Sequence, residues 1–287
     1  MSGETVDAAL RRMGDLLVGS GIDDGRREAR LLIEAVIGQQ LTVAALSGTQ
    51  TLNAEMVARL DGLAARRATR EPLQHILGET GFMSIAHFKT DARALIPRWD
   101  SETVVLLALE RGKRARPSPR VIADLGTGSG ALLAALLQAL PHVQGVAVEK
   151  SAPALSLAKE NVAALGLSPR VSFFPGSWTD WTGWNRCDLI ISNPPYIRSE
   201  VIPTLAPEVR DHDPIEALDG GADGLDAYRD IIALGADQMK AGAHLVLEIG
   251  HDQRRDVTAL LDAAGFIDLT HQKDLGGHDR AIAATKA

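Results

Sequence analysis

From Arg120 to the C-terminus, short apolar runs alternate with longer segments of helical period, and this alternation constrains the fold more than any other feature of the chain. "RVIADLG", "GVAVEK", "RVSFF", "CDLIIS" and "HLVLEIG" are strand-like, whereas "ALLAALLQAL", "APALSLAKENVAALG", "LDAYRDIIALGADQM" and "DVTALLDAAGF" are helical. A strand that is apolar on both faces must be covered on both, and a helix between successive strands makes them parallel. The expectation is an α/β fold with a mostly parallel sheet between two helical layers.

The first part of the chain reads differently. Val6, Leu10, Met13 and Leu17 recur at helical spacing, as do Met56, Leu60 and Leu63. Asp23 or Asp24, Thr42 and Asn53 are placed to cap successive helices. A small helical domain over residues 1–72 is expected, one suited to recognising a substrate. "REPLQHILGETGFMSIAHFKTDARALIPRWDSE" then loses the helical period, with strand-like runs around Phe82 and Phe88. It is expected to be a linking hairpin over 73–99, followed by a helix from Asp100 to about Gly112 and a catalytic domain over 100–287.

With 45% hydrophobic and 23% charged residues, the chain has the composition of a globular protein. Its first residues carry Arg11, Arg12 and Asp15 at helical spacing, without the apolar core of a signal peptide, so a cytoplasmic address is expected. Cys187 is the single cysteine, which excludes an internal disulfide framework, and it reads as a buried strand residue. The net charge of -7 does not favour nucleic acid. Residues 1–70 hold nine arginines against nine acidic residues, and the pairs at 11, 26 and 66 read as solvated helix faces.

"DLGTGSGA" follows the first strand of the alternating region and opens a helix. Glycines there let the backbone approach a ligand at the carboxyl edge of the sheet. Gly126, Gly128 and Ala131 satisfy a dinucleotide pattern with Glu149 as ribose partner, but Asp124 sits where a carboxylate would repel a pyrophosphate. The same carboxylate can attract the cationic methionyl portion of S-adenosylmethionine. Glu149 can accept from both ribose hydroxyls, and Trp178, nearest the third strand of "GSWTDWTGW", can cover an adenine face. Trp181 and Trp184 read as packing residues.

"SNPPYI" follows the fourth strand, which neighbours the first in the usual doubly wound order. An amide nitrogen is a poor nucleophile because its lone pair is delocalised, and two acceptors holding its N–H groups can orient it for in-line attack on a sulfonium methyl. The Asn193 side-chain oxygen and the Pro194 carbonyl are candidates. Pro194 and Pro195 fix φ, and Tyr196 supplies an aromatic wall.

With these motifs, and with "PLQHILGE", "LIPRWDSE", "GGADGLDAYRDI", "LEIGHDQ" and "DLGGHDR" in order along nearly the whole chain, the sequence resembles the release factor glutamine methyltransferases. The resemblance implies a seven-stranded Rossmann-like S-adenosylmethionine-dependent methyltransferase sheet. It also implies methyl transfer to the side-chain N5 of the glutamine in the Gly-Gly-Gln motif of peptide chain release factors, with S-adenosylhomocysteine as product. Cofactor contacts then fall on Asp124, Gly126, Thr127, Gly128, Ser129, Gly130, Glu149, Trp178 and Asn193, and the glutamine site on Asn193, Pro194, Pro195 and Tyr196. Trp99, Ser101, His75, Asp213 and Glu149 depart from the family's usual residues.

Rival readings are a methyltransferase for ribosomal-protein glutamine or for an exocyclic amine of nucleic acid, and a cofactor-binding module without catalysis. Intact Asn193 and Tyr196 argue against the last. His244, His251, His271 and His278 lack the spacing of a metal helix, and Gly128, Ser129 and Gly130 lack the outer glycine spacing of a hydrolase elbow.

Overall fold

The computed structural model describes residues 3–41, 50–114 and 118–287, so the expected cap at Thr42 lies outside the described residues. The chain divides into two units, one comprising residues up to Gly78 together with Ala206–His212, the other Glu79–Leu205 and Asp213–Ala287.

In the first unit, helix α1 (Val6–Gly19) is capped by Thr5, whose hydroxyl accepts the Ala8 N–H. Helix α2 (Gly25–Ile37) follows Asp24, which makes no side-chain cap, and stops at Gly38 with φ +75°, a left-handed conformation that suits glycine. Helix α3 (Ala54–Ala68) is capped by Asn53, whose Oδ1 accepts the Met56 N–H at 2.9 Å. Two-residue strands β1 (Glu4–Thr5) and β2 (Thr51–Leu52) pair antiparallel, and a short helix α4 (Leu73–Leu77) closes the unit. Its core gathers Val6, Met13, Leu17, Leu32, Ile33 and Leu60, the apolar stripes of the three longer helices.

One arginine departs from the solvated-face expectation. Arg67 is 5% exposed because it lies between two carboxylates, Glu28 at 2.5 Å and Glu208 at 3.0 Å. Arg70 holds the other Glu208 oxygen at 2.8 Å. These bonds fasten the one-turn helix Pro207–Arg210 within this unit.

The second unit begins with the hairpin β3 (Glu79–Phe82) and β4 (Ile85–Lys89), at the two strand-like runs. Helix α5 (Glu102–Arg114) starts after a 3-10 turn, Trp99–Ser101. The sheet strands are β5 (Val121–Leu125), β6 (Gln144–Glu149), β7 (Val171–Pro175), β8 (Leu189–Ser192), β9 (His244–Glu248), β10 (Phe266–Lys273) and β11 (Asp279–Lys286). Their order is β10-β11-β9-β8-β5-β6-β7, with β5 to β9 parallel and the terminal hairpin antiparallel. The crossovers are helices α6 (Ala131–Ala139), α7 (Ala152–Ala164) and α8 (Asp226–Gln238), while α9 (Arg254–Ala263) leads to the hairpin.

Strand pleating sends neighbouring residues to opposite layers. Ile122 and Ile191 pack with Val104, Leu107 and Leu133 on one face, whereas Ala123 and Ile190 pack with Tyr228, Ile231 and Val257 on the other. The strand ends Leu125, Glu149, Ser192 and Glu248 therefore share the carboxyl edge.

Candidate active site

Strand β8 pairs with β5 in the register Asp124 to Ile191 and Leu125 to Ser192, so the residues that follow each strand emerge side by side. Ser192 Oγ donates to the Leu125 carbonyl at 2.6 Å and ties the two strand ends together. Beyond them lies a cavity of about 390 Å³, within the size range of small-molecule sites.

One wall is the glycine loop. Gly126, Gly128 and Gly130 have φ of +68°, +55° and +87°, conformations that a side chain would strain. A Cβ on Gly126 would press on the Trp178 ring at 3.4 Å. Gly126, Thr127, Gly128 and Ser129 line the cavity. Glu149 also lines it, 8% exposed, with Oε2 accepting from Gly128 N at 2.9 Å and Oε1 from Ser151 N at 2.8 Å. Each of its oxygens keeps a lone pair for another donor. Trp178 forms the adjoining wall, and its buried Nε1 has no hydrogen-bond partner among the described residues. Trp181 and Trp184 pack in the core, their rings 5.8 Å apart, as expected of packing residues.

The facing wall is the Asn-Pro-Pro segment. Asn193 Nδ2 donates to Ser101 Oγ at 3.5 Å, which turns its Oδ1 away from Ser101. Neither Asn193 Oδ1 nor the Pro194 carbonyl accepts a hydrogen bond from any described residue. The loop is held from behind by its backbone. Gln253 Nε2 donates to the Tyr196 carbonyl at 3.0 Å, and the Gly220 N–H donates to the Ile197 carbonyl at 2.8 Å. Gly220 and Gly224 press so closely that a Cβ on either would meet the loop backbone, at 2.8 Å from the Pro195 oxygen and 2.5 Å from the Tyr196 oxygen respectively. That contact explains the first and last glycines of "GGADG", Gly220 and Gly224.

Asp124, Gly130 and Tyr196 are not part of the cavity wall. Asp124 is 1% exposed and accepts from Thr127 Oγ1 at 2.7 Å, so it braces the loop from beneath, and burial lifts its carboxyl to about 7. Gly130 begins α6 and packs against Ala158. The Tyr196 hydroxyl is directed at Glu248 Oε1, 3.4 Å away, and its pKa is raised by burial and by that carboxylate. Cys187 is buried just before β8, and burial pushes its thiol up to about 12.

Sequence reasoning assigned no role to the third wall. Phe82, the run Arg93 to Arg98, Ser101, Pro214, Glu216 and Ala217 all line the cavity. The two segments are joined by Arg98, which pairs at 3.2 Å with Asp213, whose side chain is 1% exposed. The signal was present in "LIPRWDSE" and in the unusual Asp213 before Pro214. Trp99 stands out of this wall, 72% exposed, while His75 lies on α4 of the other unit.

Comparison with known proteins agrees with this architecture. Residues 8–78 match the PrmC N-terminal domain family and residues 98–206 the Methyltransferase small domain family. The release factor glutamine methyltransferase of Caulobacter vibrioides is 40% identical over 274 residues, covering 95% of this chain and 93% of its own. That of Bradyrhizobium diazoefficiens is 40% identical over 288 residues, covering 99% and 96%. The delta-N METTL16 MTase domain superposes with a TM-score of 0.52 at 16% identity, over 70% of this chain and 89% of that one, a likeness of fold.

Proposed function

The chain belongs to the release factor glutamine methyltransferase family, and on that premise we propose how its residues carry the reaction. The enzyme methylates a glutamine of a peptide chain release factor with S-adenosylmethionine as donor. We assign the N5 amide of a Gly-Gly-Gln motif as the acceptor.

The cavity suits this donor. Glu149 presents two spare lone pairs to the ribose hydroxyls, the Trp178 ring flanks the glycine loop as an adenine would require, and its unpartnered indole N–H is a donor for a ligand acceptor. When bound, S-adenosylmethionine would supply an electrophilic sulfonium methyl, the N–C bond made at the amide being balanced by the S–C bond broken, with S-adenosylhomocysteine as leaving group and the displaced amide proton passing to water. Asn193 Oδ1 and the Pro194 carbonyl each accept one N–H of the glutamine amide and aim its nitrogen at the methyl group. Pro194 and Pro195 keep those acceptors in place. Asp124 acts on the loop through Thr127, and Tyr196 supports the Asn-Pro-Pro segment.

The observation that carries this reading is the pair of unoccupied acceptors, Asn193 Oδ1 and Pro194 O, beside a glycine loop at one cavity. Asn193→Ala should retain its fold and most of its affinity for S-adenosylmethionine while losing most transfer of labelled methyl to release factor. Wild-type turnover at saturating donor and acceptor would contradict the assignment.

The helical unit holds none of these groups, and we assign it the recognition of the polypeptide around the glutamine, in the cytoplasm where release factors act. Charge-reversing changes at the exposed Arg11, Arg26 and Arg27 should then lower kcat/KM for intact release factor more than for a short Gly-Gly-Gln peptide. Equal losses would place recognition elsewhere.

A further inference from the structure

The acceptor glutamine is part of a polypeptide, so the chain around it must lie across the mouth of the cavity that its side chain enters. Among the described residues of the second unit, the exposed large apolar side chains are Trp99, Leu106, Ile215, Ile267 and Leu275. A single exposed apolar residue is ordinary on a protein surface, but three of these are placed around one feature. Trp99 lies between Arg98 and Ser101, both of which line the cavity, and Ile215 lies between Pro214 and Glu216, which line it too. Leu275 is in the turn between β10 and β11, closed by the Asp274 N–H donating to the His278 carbonyl at 2.9 Å. The pairing of Ala281 with Glu248 sets that turn at the carboxyl edge of the sheet. The other two lie elsewhere. Leu106 is midway along α5, and Ile267 pairs through Thr285 with His244, the first residue of β9, at the opposite edge.

Two ion pairs brace the three segments against one another. Arg98 meets Asp213 at 3.2 Å and joins the segment of Trp99 to that of Ile215. Arg280 meets Asp274 at 3.1 Å and Asp100 at 3.6 Å, and so joins the turn of Leu275 to that of Trp99. Asp213, Asp274 and Arg280 are largely buried, so water screens these pairs less than it screens surface pairs. Segments held in this way lose little freedom when a partner settles on them, which favours binding.

We propose that Trp99, Ile215 and Leu275 form an apolar rim that docks the release-factor residues immediately flanking the glutamine. The inference rests on the reading of the cavity as the site of glutamine methylation. The two glycines before the glutamine carry no side chain, so their backbone can lie flat against the Trp99 ring. The helical unit takes the more distant polypeptide, whereas the rim takes residues that even a short peptide retains.

The test uses the full chain with S-adenosylmethionine and two acceptors, intact release factor and a short tryptophan-free peptide bearing Gly-Gly-Gln. Trp99→Ser should raise KM about tenfold or more for both acceptors, and Ile215→Ser and Leu275→Ser about threefold each. The kcat at saturating acceptor should stay within about twofold of wild type, because contacts made equally in ground and transition states act on KM. Trp99→Phe, which keeps an aromatic face, should retain most of the affinity. Leu106→Ser and Ile267→Ser should leave KM unchanged, and no variant should move the thermal midpoint or the calorimetric affinity for S-adenosylhomocysteine. With S-adenosylhomocysteine present throughout, saturating peptide should protect tryptophan emission from acrylamide quenching, and Trp99→Phe should abolish that protection. Wild-type KM in Trp99→Ser, a loss no larger than that of Leu106→Ser, or unchanged quenching would overturn the rim. A change from dimer to monomer in Trp99→Ser on sedimentation, with KM unaltered, would overturn it in favour of a contact between two copies of this chain. If Asn193→Ala kept full activity, the reading of the glutamine site would fall and the rim with it; if Asn193→Ala were inactive and Trp99→Ser normal, only the rim would.

Discussion

Replacing Glu149 with Gln tests the cofactor assignment at its most constrained atom pair. In the wild type, each carboxylate oxygen already holds one backbone N–H, from Gly128 at 2.9 Å and Ser151 at 2.8 Å, and has one lone pair left for a ribose hydroxyl. Glutamine keeps a single oxygen and sets an NH2 against one of those backbone donors. One charge-assisted ribose bond is lost and the other becomes neutral, which together costs about 2 to 3 kcal/mol, or roughly 30- to 150-fold in Kd. Calorimetry with S-adenosylmethionine and S-adenosylhomocysteine measures this, with thermal unfolding of the ligand-free chain as a check on the glycine loop. The two ligands share the ribose, so both should weaken equally. Affinities within twofold of wild type would refute the ribose assignment. A loss confined to S-adenosylmethionine would show instead that Glu149 answers to the sulfonium charge.

Burial holds the Asp124 and Glu248 carboxyls protonated to about pH 7 in the folded chain, against 3.8 and 4.5 for the same groups in water. Between those values the folded state binds more protons than the unfolded one, so their contribution to stability is complete at low pH and is lost as pH rises through about 7; chemical denaturation of the ligand-free chain from pH 5 to 8 should show the decline, and Asp124→Asn should flatten it. Arg67→Ala leaves Glu28 and Glu208 without their shared guanidinium and should cost about 3 to 5 kcal/mol in denaturant unfolding, whereas a surface pair would cost under about 1; a loss below about 1 kcal/mol would show that water screens the pair. Gly224→Ala should lower kcat while sparing calorimetric affinity for S-adenosylhomocysteine, because its Cβ would stand 2.5 Å from the Tyr196 carbonyl at a φ of +76°; unchanged kcat would mean that the loop yields without consequence.

The parallel core was legible because each strand is apolar on both faces, a pattern that leaves little choice of layer. The meeting of the glycine loop with Asn193 was legible for a topological reason: consecutive βα units wind so that β8 returns beside β5. Arg67 was not legible, because helical period places a residue on a face without saying which carboxylate lies opposite. Glu248 was hidden for a related reason. In "LEIG" it is one acidic residue at a strand end, and only the pairing of β9 with β8 brings it level with Asn193. An aromatic beside two prolines suggests a stacking wall, whereas the Tyr196 hydroxyl faces a buried carboxylate instead. The wall from Arg93 to Arg98 lacks periodic signal, as expected of a segment whose conformation is set by the cavity it encloses.

The seven residues from Ala206 to His212 give the helical unit two separate addresses in the gene. Swapping this unit between relatives would require two crossovers that preserve the match between Glu208 and the arginines at 67 and 70, so its halves are expected to be inherited together. A chain shortened to begin at Glu79 would be no clean catalytic half: it would carry Glu208 with neither arginine, on a strap whose flanks run into Asn193 to Pro195 at one end and Pro214 to Ala217 at the other. Chimeras that exchange residues 1–78 together with 206–212 should therefore retain activity more often than those that exchange the first segment alone.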